Sequence, residues 1–274
     1  MIDFIATRPQ DSKTTGPKNS HEVLRPCGLA IITLIILLSC SFCGSSYAKE
    51  YDGLFFLGMN LQKDVFNDKN VRYAINYAID RKYIARTIMS EEAVPAGVIP
   101  PGLAGYSSSL EGFPYDPAKA RKLLKKPLGV ELLLLHTDGV RTVAMAQKIK
   151  KDLAAVGIKV KTRQISYSEQ DKWESELKAG RQHLFLMGYK ADFYKITEEA
   201  NSAADSYDLV EPLFGSDGQA NFTCYHNDRV DNLLDQVSAL DRAIGSVRDG
   251  KLAEIDRLIM KDAPTVNLFY IPKI

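Results

Sequence analysis

Val71-Arg-Tyr-Ala-Ile-Asn-Tyr-Ala-Ile-Asp-Arg81 is the stretch on which the fold turns. Val71, Ala74, Ile75, Ala78, Ala85 and Ile88 recur at spacings of three, four and seven, which places them on one side of a helix that buries that side. Asn67 or Asp68 stands where a side-chain oxygen can accept from the exposed N–H groups of the first turn. Just before it, Tyr51 to Leu61 is apolar and contains Gly53 and Gly58, the composition of an extended segment.

Beyond the helix, Glu91 to Tyr115 contains Pro95, Pro100, Pro101, Pro114 and four glycines, so it is a long irregular loop. A loop of that length in a compact domain packs specifically or has a function. Asp116-Pro117 opens a helix to about Lys126, because proline at the first helical position loses no hydrogen bond. An alternation follows. Val130 to Leu135 is a continuous apolar strand, as expected when both sheet faces are covered. Val140 to Val156 is an amphipathic helix ended by Gly157, and Ile158 to Ile165 is a strand. Ser166-Tyr-Ser-Glu169 has the form of a capping box for a helix that stops at Gly180, and His183 to Met187 is a third strand. This β-α-β-α-β order predicts a parallel or mixed sheet between helices. Tyr189 to Ala220 is polar and irregular, Asn227 to Leu240 and Lys251 to Lys261 are helices, and Val266 to Ile271 is a last extended run.

Composition narrows the function. Of 274 residues, 45% are hydrophobic and 25% charged, and 35 basic against 34 acidic residues leave a net charge of +1. That balance lacks the basic excess of a nucleic-acid binder. The densest basic cluster, Lys148, Lys150 and Lys151 with Lys159 and Lys161, reads as a solvated helix face and strand edge. Cys27, Cys40 and Cys43 crowd the N-terminus and leave only Cys224 in the body, so the body has no disulfide framework.

Residues 1–48 have the pattern of an export leader. Arg8, Lys13, Lys18 and Arg25 precede an apolar run from Gly28 to Leu38, shorter than the ~20 residues of a membrane span. The length of the charged part leaves room for a start nearer Val23. Ser46-Tyr47-Ala48 offers small residues for cleavage before Lys49, while Leu37-Leu-Ser-Cys40 offers the competing outcome, lipidation of Cys40. Both outcomes give an extracytoplasmic protein, soluble or lipid-anchored, and an uncleaved anchor is the third option. The Cys40-Ser-Phe-Cys43 spacing lacks the surrounding βαβ pattern of a redox motif.

Six blocks, in order, resemble the family 5 extracellular solute-binding proteins of peptide- and nickel-type ABC importers. They are Leu57-Gly-Met-Asn60, the Val71–Arg81 helix, Ile99-Pro-Pro-Gly102 with Tyr115-Asp-Pro-Ala-Lys-Ala-Arg-Lys-Leu-Leu124, Asp152-Leu-Ala-Ala-Val-Gly-Ile-Lys-Val160, Asn221-Phe-Thr-Cys-Tyr-His-Asn227 with Val230-Asp-Asn-Leu-Leu-Asp235, and Asp262-Ala-Pro-Thr-Val-Asn-Leu-Phe-Tyr270. The resemblance implies an α/β fold, the second lobe of a type II periplasmic-binding-protein fold with the first lobe absent. On that map residues 49–61 are the outgoing hinge strand, 62–262 the solute-binding lobe and 263–274 the return strand. It implies a non-catalytic protein without cofactor. Its partners would be a peptide or other small solute, an inner-membrane ABC permease, and a first-lobe partner chain or a second copy. With that lobe face uncovered, self-association is expected. The competing reading is an envelope interaction or structural protein, or a remnant, that keeps the lobe and has lost transport.

Ligands of open α/β sheets lie beyond the carboxyl ends of strands. After the third strand come Gly188-Tyr189-Lys190-Ala191-Asp192-Phe193, where the resemblance implies an aspartate that pairs with a ligand's ammonium group. Asp192 is therefore the expected contact, with Tyr189, Lys190 and Phe193 around it. Ala204-Asp205-Ser-Tyr207 repeats the theme, so Asp205 competes for the same role. Cys224 replaces a glycine usual in the family and is expected to be a small buried residue. Gly245-Ser-Val-Arg-Asp-Gly250-Lys251 has P-loop spacing, but Leu252 stands where the Mg²⁺ ligand belongs and no strand precedes it. His21, His136, His183 and His226 form no pair with metal-ligand spacing, and no Gly-x-Ser-x-Gly nucleophile motif is present.

Overall fold

The sheet is built around the strand that precedes the signature helix. In a computed structural model that describes residues 49–91, 94–191, 205–240 and 245–273, β1 is Tyr51–Met59. Helix α1, Lys69–Ala78, is capped by Asp68, which accepts from Asn70 N–H, and α2 is the short helix Arg81–Tyr83. Then follow α3 (Pro117–Leu123), β2 (Leu132–Thr137), α4 (Val140–Ala155), β3 (Val160–Ile165), α5 (Gln170–Lys178) and β4 (Leu184–Lys190). The chain closes with α6 (Ser206–Phe214), α7 (Asp228–Ser238), α8 (Gly245–Asp262) and β5 (Thr265–Pro272).

The strands lie in the order β3-β2-β4-β1-β5. β2 runs parallel to both β3 and β4, and β1 runs antiparallel to both β4 and β5. The predicted β-α-β-α-β unit is therefore the parallel half of a mixed sheet. Successive side chains in β1 point to opposite faces: Leu54 and Phe56 enter one core, Leu57 and Met59 the other. In β4, Phe185 joins the first and Leu184 and Leu186 the second. The first core is closed by α6, α7 and α8, the second by α1 and α4, which explains why these strands read as unbroken apolar runs.

Several expectations are corrected. The single helix through Ile88 breaks after Ala78, where Ile79 is extended and Asp80 accepts from Tyr83 N–H to start α2, which winds on into a π-helical turn at Ile84–Met89. The break turns Arg81 inward. Its guanidinium donates to the carbonyls of Pro95 (2.7 Å), Asn267 (3.2 Å) and Phe113. The capping box does not form. Ser166 Oγ donates to Asp138 instead, and α5 starts at Gln170 without a side-chain cap. The stretch taken as irregular contains α6, capped by Asp205 and running through Pro212. α8 begins at Gly245 rather than Lys251, so the Gly245–Lys251 segment is helical and no phosphate loop. Cys224 is exposed, not buried, and takes the left-handed φ of 52° that a glycine adopts without strain.

The loop expected from its prolines is pinned rather than loose. Besides the Arg81 bonds, the Asp256 carboxylate of α8 accepts from the N–H groups of Val98 (2.8 Å) and Ile99 (3.3 Å), and Tyr270 Oη donates to Gly97 O (3.1 Å). A Cβ at Gly97 would collide with the Asp256 carboxylate, so the position requires glycine. Burial lowers the Arg81 guanidinium to about 10 and raises the Asp256 carboxyl to about 6.

Candidate functional site

The topology creates one edge where chemistry collects. The carboxyl ends of β2, β3 and β4 lie on the same edge as the start of β1 and the end of β5, because Gly53 pairs with Lys190 and Tyr51 with Pro272. Ligands of open α/β sheets bind at this kind of edge. Three ion pairs line it: Lys190 Nζ to Asp52 Oδ2 (3.0 Å), Lys49 to Glu91 (2.5 Å) and Lys273 to Glu50 (3.2 Å). Asp52 is 2% exposed in its side chain and Lys190 23%, so this pair is set into the sheet end while the Lys273–Glu50 pair is open to solvent. Beside them, Asp138 follows β2 and accepts from Tyr167 N–H and Ser166 Oγ, both at 2.8 Å. Those bonds hold its carboxyl below the usual carboxylate range. Val140 (87% exposed) and Tyr167 (68%) stand open next to it.

Tyr189 and Lys190 are brought to this rim as the last residues of β4, Tyr189 buried against the core and Lys190 tied to Asp52. Asp205 is committed elsewhere. It is buried, caps α6 by accepting from Tyr207 N–H (2.9 Å), and pairs with the equally buried Arg248 of α8 at 2.9 Å. Asp192, Phe193 and Cys40 lie outside the described residues. The sequence reading missed Asp52, Glu91 and Asp138. For Asp138 a signal existed, since it directly follows a strand at its carboxyl end. Asp52 gave none, because a single carboxylate in an apolar run does not reveal the lysine that the antiparallel register sets against it.

Two clefts open at the other end of the sheet. One of about 820 Å³ is lined by Lys63, Lys125, Lys126 and His183, and one of about 260 Å³ by Asn60, Lys178 and Cys224. Neither is lined by the rim residues described above. His226, Asp228 and Asp231 form the one group among the described residues with spacing that could hold a metal ion. Its two carboxylates face different ring nitrogens of His226. Asp228 faces Nε2 at 3.0 Å, while Asp231 (3.7 Å) and Ser216 Oγ (2.6 Å) face Nδ1, and an ion could take only one of the two ring nitrogens. The basic cluster is a solvated face as expected, with Lys150, Lys151, Lys159 and Lys161 exposed and Lys148 paired with Asp152 at 2.6 Å.

Residues 13–205 match the family described as bacterial extracellular solute-binding proteins, family 5 middle. The glutathione-binding protein GsiB of Salmonella paratyphi A is 32% identical over 228 residues, covering 78% of this chain and 41% of the relative. Among solved structures, the ABC-transporter-associated periplasmic binding protein DppA from Helicobacter pylori, in complex with the peptide STSA, superposes with a TM-score of 0.69 at 25% identity, over 82% of this chain and 43% of its own. A peptide-binding protein of a peptide ABC transporter superposes with a TM-score of 0.62 at 23% identity, over 80% of this chain and 98% of its own. The chain thus spans about two fifths of the length of GsiB and DppA. Among the described residues no helix is long and apolar enough to cross a membrane. With a family match over more than half its length, and the mixed sheet of one binding-protein lobe, the chain belongs to the family 5 bacterial extracellular solute-binding proteins and has the type II periplasmic-binding-protein fold.

Proposed function

We propose that this chain is an exported ligand-recognising lobe that serves a peptide-type ABC importer, acting by binding rather than by catalysis. The observation that carries this reading is the rim itself. Three parallel strands end together there, beside a partly buried Lys190–Asp52 pair and exposed Val140 and Tyr167, in a lobe whose family members are solute-binding proteins. A rim of this kind grips a small zwitterion between opposite charges once a facing surface excludes water, because charge-assisted hydrogen bonds strengthen as the dielectric falls. Asp192 is the proposed partner of the ligand's ammonium group, with Tyr189, Lys190 and Phe193 as its surroundings. Asp205 is the weaker candidate, since its carboxylate already serves Arg248 and a helix cap. The ligand class is a short peptide or a peptide-like thiol, as the names of the relatives suggest. The facing surface would be a first-lobe partner chain or a second copy, and the permease would receive the loaded assembly.

Thermal unfolding of the full chain against glutathione, di- to tetrapeptides and Ni²⁺, alone and mixed with a family 5 first lobe, tests this. A saturable rise in Tm with one peptide-class ligand is expected, since a ligand at 100 times its Kd stabilises by about 2.7 kcal/mol. No rise under any condition, together with a chain that stays monomeric, would favour the other reading, an envelope interaction protein that has kept the lobe and lost the ligand. The leader is tested by mass spectrometry of exported protein: an N-terminus at Lys49 means cleavage after Ala48, and a lipidated Cys40 means an anchor.

A further inference from the structure

The larger cleft, at the amino ends of β4 and β2, has a chemistry unrelated to the rim. β4 separates the two by its seven residues, about 20 Å of strand. At about 820 Å³ the cleft falls within the range of small-molecule sites, roughly 300–1,000 Å³. Its polar side is fixed by His183. The backbone of His183 donates to Leu133 O (3.0 Å), and Leu133 N–H donates back to its ring Nδ1 (3.2 Å). Nδ1 is therefore the acceptor, and the proton sits on Nε2, a donor whose ring lines the cleft. Burial and the charges of Lys63 and Lys161 lower the imidazole's pKa, so at neutral pH the ring donates as a neutral group in a positive field. Lys63, Lys125 and Lys126 line the same cleft.

The acids nearby do not cancel this. Two carboxylates, Asp64 and Asp68, stand against three ammonium groups, and Asp68 also serves the α1 cap, accepting from Asn70 N–H and Nδ2. The remaining wall is apolar: Val65, Leu124 and Leu128 are half-buried against the second core, and Val130 is exposed. A bare anion would leave that wall wet, and a neutral hydrocarbon would leave the lysines unused. We infer that this cleft is a second ligand site, for an amphipathic carboxylate whose head meets His183 Nε2 and Lys63 and whose hydrocarbon body lies on Val65, Leu124, Leu128 and Val130. The site makes no use of the rim and stands or falls apart from the peptide reading.

The test is calorimetric titration of the full chain with octanoate, with octanol and inorganic phosphate as probes that lack the head or the body. Lys63→Glu reverses the charge at the head position. His183→Asn keeps an acceptor for Leu133 N–H and removes the far-reaching Nε2 donor, leaving only a shorter amide. Octanoate is expected to bind saturably with a Kd on the order of 1 mM or tighter. Lys63→Glu should weaken it about tenfold or more and His183→Asn several-fold, and octanol and phosphate should each bind at least about tenfold more weakly than octanoate. Circular dichroism and Tm establish that both variants are folded. Should one be unfolded, the other and the two probe comparisons still decide. Absent octanoate binding at about 10 mM, binding unchanged in the folded variants, or phosphate or octanol binding as tightly as octanoate would each overturn the inference.

Discussion

Two regions of this lobe hold charge in opposite ways. Around the 94–115 loop, Arg81 and Asp256 are buried and spend their hydrogen bonds on backbone groups: three carbonyls for the arginine, two N–H groups for the aspartate. Neither takes the other's charge as its partner in these bonds. At the rim the charges meet side chain to side chain, as Lys190–Asp52, Lys49–Glu91 and Lys273–Glu50, with at least one member of each pair reachable from solvent. A charge saturated by backbone fixes the chain's path and has nothing left to offer. A charge paired with a solvent-reachable side chain can exchange that partner for a ligand or a facing surface. The first arrangement holds the fold together, and the second suits the recognition role proposed for the rim.

Substitutions can break that division. The largest stability loss is expected at the buried Arg248–Asp205 pair. Asp205→Ala strands a buried guanidinium and removes the α6 cap, at a cost of about 3–5 kcal/mol, measured by urea unfolding. Asp192→Ala, by contrast, should act on ligand affinity, so the two aspartates are told apart by which measurement moves. Next is Arg81→Met, which frees three buried carbonyls and releases the loop, with an expected loss of about 3 kcal/mol, or a Tm drop of about 6–12 °C.

Asp256 gives a pH signature. Its folded pKa, about 6, lies above the ordinary value of 3.8, so the folded state holds the proton more tightly than the unfolded one. Its contribution to stability is greatest below the ordinary value and is lost as pH rises through the folded one, by roughly 2–3 kcal/mol. Other carboxylates, such as Glu176, are held low by Arg181 and Arg163 and slope the other way, so the difference between the protein and Asp256→Asn isolates the effect. That difference should vary with pH between roughly 4 and 7, and a constant difference would remove Asp256 as its source. The smallest stability effect belongs to the rim, where Lys49→Gln should cost under about 1 kcal/mol in the same unfolding measurement.

Much of this was legible in the sequence. The parallel unit from β2 to β4 followed from its alternation, and the end of α4 from Gly157, whose φ of 88° suits only that residue comfortably. What stayed hidden depended on distant partners. Ile79 and Asp80 break the signature helix because Arg81 finds carbonyls in a loop and in β5, which no local pattern encodes. α6 was hidden by Pro212, and the first turns of α8 by Gly250, a residue with poor helix propensity that tertiary packing overrides. Ser166 left its capping role because Asp138 lies within hydrogen-bond reach across the rim. At the candidate site, Tyr189 and Lys190 could be placed from strand position alone. The Asp52 partner needed the register of β1 against β4, and the engagement of Asp205 needed α8.

The proposed function places ligand recognition at the rim. Hydrogen exchange of the full chain, with and without saturating tetrapeptide or glutathione, tests it most directly. Slowed exchange is expected in residues 49–53, 137–140, 165–168 and 188–191, with the His183 cleft unchanged. Slowing confined to other segments, or none with a ligand shown to bind, would contradict it.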